Sequence, residues 1–325
     1  MCVEREHRLC YPPAMDYTVL GRTGLRAGVM GLGCGGHSRL GMAAGQSEDH
    51  AADLVRRALD LGVNFIDTAE CYETEQAVGK GIAGRRDDVL LATKFSTWPN
   101  EGNLSAADLA RSLEDSLRKL GTNRVDLYQL HGVPAGRYER LRDELAPEML
   151  RQRDAGKIRF LGITEGFSGD TKHDMLLRAV EDDCWDVMMV GFNLLNPCAQ
   201  NELLPKTIAK NIGVLVMFAV RNAMSNPEKL AANLRKMRDR GCLGDSVNEA
   251  DALDWLVREG HATSIPEAAY RFCRHEPGCH VVLSGTGNAE HLAANAAALA
   301  AGPLPEAALR RLREMFGRCD CVSGD

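Results

Sequence analysis

Four side chains in the first half of the chain have types and spacing that suit one piece of chemistry: Asp67, Tyr72, Lys94 and His131. A phenol is a weak acid, with a reference pKa of about 10. An ammonium beside it favours the phenolate and so makes the phenol a better proton donor. A buried ammonium in turn requires a carboxylate, because an unpaired buried charge is costly. An imidazole next to the phenol can orient a carbonyl oxygen. Together the four are the parts needed to protonate a carbonyl oxygen while another group supplies hydride. Taken singly each has an ordinary reading. Asp67 could make an Asx turn, Lys94 could snorkel from a strand end, Tyr72 could sit on a rim, and His131 could be a hydrogen-bonded core residue.

The elements that must position these groups show in the apolar pattern. Eight short apolar runs occur at 29–33, 64–67, 89–94, 125–131, 158–164, 186–190, 214–218 and 281–284. Most are apolar at consecutive positions, as in parallel strands buried on both faces. Helical stretches separate them. Leu54, Val55, Ala58 and Leu61 share one face before Gly62, and Leu109, Leu113, Leu117 and Leu120 do so before Gly121. Ser105 and Asp170 stand where N-caps belong. Strict βα alternation with eight strands implies a (β/α)8 TIM barrel, whose chemistry sits at the C-terminal strand ends. Asp67 ends the second run with Tyr72 just past it, Lys94 ends the third and His131 ends the fourth. An open doubly wound sheet is the alternative, but Gly31-Leu32-Gly33-Cys34-Gly35-Gly36 carries only half of a G-x-G-x-x-G fingerprint.

Three decorations stand outside the repeat. Residues 16–29 read as an N-terminal hairpin turning at Arg22-Thr23-Gly24, placed to plug the bottom of the barrel. A long insertion follows the seventh strand (219–262), with a helix starting at Asn226-Pro227-Glu228, and residues 305–316 read as a last amphipathic helix. Residues 1–15 are expected to be a flexible, dispensable extension, and 16–325 a single barrel.

Composition narrows the class. The chain has 325 residues, 39 Lys plus Arg against 45 Asp plus Glu, and a net charge of −6, with 45% hydrophobic and 26% charged residues. These values exclude a disordered, collagen-like or coiled-coil chain. No apolar run reaches the roughly 18 residues of a membrane span, and the mild acidity argues against nucleic-acid binding. The opening Met1-Cys2-Val3-Glu4-Arg5-Glu6-His7-Arg8 lacks an apolar signal region, and 11 scattered cysteines suit a reducing cytoplasm. Cys273, His275, Cys279 and His280 crowd together, as do Cys319 and Cys321, but their spacing matches no common zinc pattern, so no metal is expected.

Several segments resemble the aldo-keto reductases. They are Asp67-Thr68-Ala69-Glu70-Cys71-Tyr72, Ala92-Thr93-Lys94, Asp126-Leu127-Tyr128-Gln129-Leu130-His131, Leu20-Gly21-Arg22-Thr23-Gly24-Leu25, Gly156-Lys157-Ile158-Arg159-Phe160-Leu161-Gly162, and 285–295. The resemblance implies Tyr72 as general acid, Lys94 and Asp67 as its tuners, and His131 as orienter of the carbonyl. It also implies an extended nicotinamide dinucleotide and a small carbonyl or alcohol substrate. Cofactor contacts are then expected from Gly33 and Cys34, from Thr164-Glu165 in place of the family's Ser-Asn pair, and from Met189 in place of a Gln. Phe218 would stack on nicotinamide, Gly285, Thr286 and His291 would meet a 2′-phosphate, and Asn295 the adenine. The resemblance favours NADP(H), while the lack of Lys or Arg between His280 and Asn295 leaves NAD(H) open. Glu165 would set an anion beside the ring. His37, Trp98 and Phe167 are the candidate substrate contacts. The altered cradle motivates a second reading, a regulatory or redox-sensing barrel that retains its cofactor and turns over slowly.

Overall fold

A computed structural model describes residues 15–98, 104–244 and 247–325. Apart from Met15, which is buried against the core, the expected extension lies outside the described residues. The chain opens with an antiparallel hairpin of β1 (Tyr17–Val19) and β2 (Arg26–Gly28). Eight parallel strands follow: β3 (Met30–Gly33), β4 (Phe65–Asp67), β5 (Leu90–Ser96), β6 (Val125–Val133), β7 (Ile158–Glu165), β8 (Val187–Gly191), β9 (Gly213–Met217) and β10 (Val281–Ser284). They pair in chain order, and β10 closes on β3 to complete the barrel.

Helices cover the outside between strands: α1 (Glu48–Asp60), α2 (Glu75–Gly81), α3 (Ala106–Leu120), α4 (Tyr138–Asp154), α5 (Asp174–Ala179) and α6 (Leu203–Ala209). The insertion after β9 carries α7 (Pro227–Asp239) and α8 (Trp255–Arg258) before α9 (Ile265–Arg274). The last helices are α10 (Ala289–Ala300) and α11 (Glu306–Phe316). No helix among the described residues is long and apolar enough to cross a membrane.

Local chemistry sets most boundaries where the sequence suggests. Ser105 and Asp108 form a capping box at the start of α3, and Gly121 ends it in the left-handed region at φ 65°. Asn226 caps α7 by accepting the Lys229 amide. Asp170 departs from expectation. The helix begins only at Asp174, with His173 at the cap in a left-handed conformation, yet the Asp170 carboxylate reaches forward to the amides of Asp174 and Met175.

The barrel has two cores, separated by strand parity. Phe65, Ala92, Leu127, Val187, Met189, Leu215 and Val281 point inward, while Leu32, Ile66, Leu91, Tyr128, Leu161 and Val190 pack outward under the helices. Leu20, Leu25 and Ala27 of the hairpin join the inner set, so the hairpin does plug the barrel bottom. The fit is close. A Cβ on Gly21 would lie 2.3 Å from the Gly213 amide, at the first residue of β9.

The cysteine–histidine crowd near 275 is engaged locally. Cys273 lies on the buried face of α9 and donates to the Phe192 carbonyl, and His280 Nδ1 accepts the Val214 amide at 3.1 Å. Residues 319–325 run back over the barrel top. Asn193 and Asn196 donate to the carbonyls of Ser323 and Val322, and the Ala223 amide to that of Gly324.

Candidate active site

Parity also delivers the polar groups. Asp67 is two residues beyond Phe65 on β4, Lys94 two beyond Ala92 on β5, and Gln129 and His131 continue the inward series of Leu127 on β6. The Lys94 ammonium is fully buried; it donates to Asp67 Oδ2 at 2.6 Å and to the Thr68 carbonyl at 2.8 Å. Gln129 Nε2 donates to the other carboxylate oxygen at 3.2 Å. The short helical turn after β4 (Glu70–Tyr72) brings the Tyr72 hydroxyl within 3.1 Å of His131 Nε2. Lys94 Nζ lies 4.9 Å from the centre of the Tyr72 ring. The four residues singled out by type and spacing thus meet at one place, on three neighbouring strand ends.

Burial dominates their electrostatics. It pushes the Tyr72 phenol above its ordinary value, and the pull of Lys94 in the opposite direction is the smaller effect. The expected lowering is therefore present as a component and overridden in the net. Burial, with Lys94 adding to it, holds the His131 imidazole well below the usual histidine range, so the ring is neutral at neutral pH. Burial also pushes the Asp67 carboxyl up, against Lys94 and Gln129. For Lys94 burial opposes the charge, but Asp67 and Tyr72 outweigh it and raise the ammonium's pKa.

A cleft of about 780 Å³ opens at this end of the barrel. Its lining includes Asp67, Tyr72, Met189, Phe218, Gly33, Gly285, Thr286, His291, Asn295 and His37. Phe218 directly follows β9 with φ 66°, a left-handed conformation rare for an aromatic residue and common where strain serves a site. Asn295 Nδ2 donates to Ser284 Oγ at 2.9 Å. Glycine is needed where the wall touches the tetrad: a Cβ on Gly35 would lie 2.4 Å from the Tyr72 ring.

Five expected contacts lie elsewhere. Cys34 belongs to the outer core by parity with Met30 and Leu32. Thr164 points inward, but it is buried outside the cleft lining and its Oγ1 accepts the Gly132 amide at 2.7 Å. Glu165, one residue later, falls on the outer face. Its carboxylate takes the Gly191 amide at 2.8 Å and His173 Nδ1 at 3.0 Å, and is wholly buried behind the wall. It sets no anion in the cleft. Phe167 is buried too, edge-on to Phe218 at 5.5 Å, stacked on His173 and pressed against Gly191. Trp98 sits half-exposed on the rim, 4.5 Å from the His131 ring. Gln129, Gly35 and Arg221 join the site without having been marked by type or spacing.

The fold and the meeting of these residues point to one class, and similarity to known proteins agrees. Residues 29–316 match the sequence profile of the Aldo/keto reductase family. The chain belongs to that family, and it is an NAD(P)-dependent oxidoreductase. It is 27% identical over 304 residues to the uncharacterized oxidoreductase YqkF of Bacillus subtilis (strain 168), spanning 90% of this chain and 94% of that protein. It is 30% identical over 296 residues to the aldo-keto reductase YhdN of the same bacterium, spanning 83% and 85%. The holo form of aldo-keto reductase AKR11C1 from Bacillus halodurans superposes with a TM-score of 0.72 at 27% identity, covering 92% of this chain and 96% of that one.

Proposed function

We propose that this cleft reduces a small aldehyde or ketone, with Tyr72 giving the proton. The observation that carries the reading is the Tyr72–His131 contact at 3.1 Å, with the Lys94 ammonium under the phenol ring. The phenol is protonated in the resting site and stands ready as an acid. Its O–H bond breaks as the proton passes to the carbonyl oxygen. Lys94 then lies beside the phenolate that forms, where a fixed positive charge stabilises it most. Asp67 and Gln129 hold Lys94 in place, and the neutral His131 can hydrogen-bond the same carbonyl oxygen. A nicotinamide dinucleotide supplies the hydride when bound.

The residues present fit such a cofactor. The cleft volume lies within the range of cofactor sites. Glycines line it where a side chain would obstruct, since a Cβ on Gly285 would lie 2.9 Å from the Gly33 carbonyl. Phe218 and Met189 would face the nicotinamide end, and Thr286, His291 and Asn295 the adenine end. The proposed cofactor is NADP(H), with Thr286 and His291 as the side chains offered to the 2′-phosphate. Parallel titration of NADP+ and NAD+ tests that preference.

Tyr72→Phe tests the chemistry. It removes the proton donor and keeps the ring, so carbonyl reduction should fall by about a hundredfold or more. Dinucleotide binding, followed by cofactor fluorescence, should persist. Reduction at the wild-type rate would remove Tyr72 from the acid role.

A further inference from the structure

Among the described residues lining the cleft, Arg221 is the sole lysine or arginine, and an acidic side chain already engages its guanidinium. Its Nε donates to Asp325 Oδ1 at 2.8 Å and its Nη2 to Oδ2 at 2.5 Å, the two-pronged geometry in which guanidinium receives an oxyanion. The guanidinium also lies 4.1 Å from the centre of the Phe218 ring. His37 Nε2 stands 3.3 Å from Arg221 Nη2.

A purely structural role for this ion pair explains little. The segment that carries Asp325 is already tied down by Asn193, Asn196 and the Ala223 amide, and Asn233 donates to the Asp325 carbonyl at 3.1 Å. Those contacts hold the segment without the ion pair, whose side chains are 19% and 29% exposed. What it does is neutralise a cleft arginine. Asp67, which also lines the cleft, is paired with Lys94 buried behind it, and that pair is neutral as a unit.

We propose that Arg221 is the cleft's receptor for an oxyanion, and that Asp325 is an internal competitor holding that receptor until the ligand displaces it. The ligand chemistry is a phosphate or carboxylate oxygen. Two sources share it: the phosphates of the dinucleotide and an acidic group on the carbonyl substrate. The choice between them rests on the reductase reading; the receptor itself does not. A site whose competent state is only partly populated binds more weakly by that fraction, so removing the competitor should tighten binding.

The test uses the full chain, its Asp325→Asn and Arg221→Gln variants and the double variant. Calorimetric titration with inorganic pyrophosphate reads the receptor without reference to any reaction. Asp325→Asn should tighten binding about threefold or more, and Arg221→Gln should weaken it about tenfold or more, as for a charge-assisted hydrogen bond. In the Arg221→Gln background the Asp325 substitution should have no effect. Titration with NADP+, and the ratio of kcat/KM for 4-oxobutanoate to that for butanal, then assign the source by whichever follows the same pattern. If Asp325→Asn weakens pyrophosphate binding or leaves it unchanged, the pair is an anchor and the proposal is overturned. If pyrophosphate follows the pattern while no dinucleotide binds the wild type, the receptor stands and the reductase reading falls.

Discussion

At the scale of single residues, Gly35 shows how closely Tyr72, the proposed acid, is held. A methyl at this position meets the Tyr72 ring at 2.4 Å, and the ring cannot yield without leaving His131. Gly35→Ala should therefore lower kcat by about a hundredfold, the scale of a 1 Å misplacement, with dinucleotide affinity retained. Wild-type kcat with an unshifted tyrosine would refute this contact as a constraint. The titrations give a second prediction. His131 is held below the usual histidine range and Tyr72 above the usual phenol, so the reactive state, imidazole neutral and phenol protonated, spans neutral pH. The kcat/KM profile should be flat from about pH 6 to 8. A break near 6.5 that vanishes in His131→Gln would show that the imidazole titrates there instead. The meeting of the four residues was legible because each is a polar or titratable type at or just past a strand end. Gln129 was equally readable, since it lies between Leu127 and His131 on one strand face. Parity would also have warned that Thr164 and Glu165 cannot both face inward. Arg221 carried no such signal: it lies beyond the last residue of a strand, and its partner is 104 residues away.

At the scale of elements, every barrel strand appeared as a nearly continuous apolar run, because each is buried by the barrel interior on one side and a helix on the other. The helix after β7 was read less well, and a buried pair explains why. His173 is drawn under Phe167 to reach Glu165, which puts the cap residue in a left-handed conformation and delays the helix beyond Asp170. Burial works against the imidazolium, but Glu165, with Cys198 adding to it, outweighs burial and holds His173 up at about 10. The folded-state value exceeds the unfolded one of about 6.5. The stability this group contributes is thus complete below about pH 6.5 and is lost as pH rises through about 10. Between about pH 7 and 9.5 the melting temperature of the wild type should fall further than that of His173→Gln. Parallel declines would mean that the pair adds no pH-dependent stability.

At the scale of the whole molecule, the hairpin plug was visible in advance because its apolar residues flank a turn signal, Arg22-Thr23-Gly24. The run of 319–325 across the barrel top was not. Its anchors at Asn193 and Asn196 are more than a hundred residues away, and neither end bears a local pattern. The filled interior has a kinetic meaning. With the inner-core side chains and the hairpin packing the barrel from within, the cleft among the described residues opens at the C-terminal strand ends, and both proposed reactants would share that mouth. The floor of that mouth, with Met189 and Met217, belongs to the proposed cofactor end, and the rim, with His37 and Trp98, to the substrate. Whatever lies deeper must enter first and leave last. Steady-state turnover should then be compulsorily ordered, and an unreactive analogue of the carbonyl should inhibit uncompetitively against the dinucleotide. A mixed pattern would show that the two can enter in either order. The solid packing of the barrel interior would in this way set the order of events at its top.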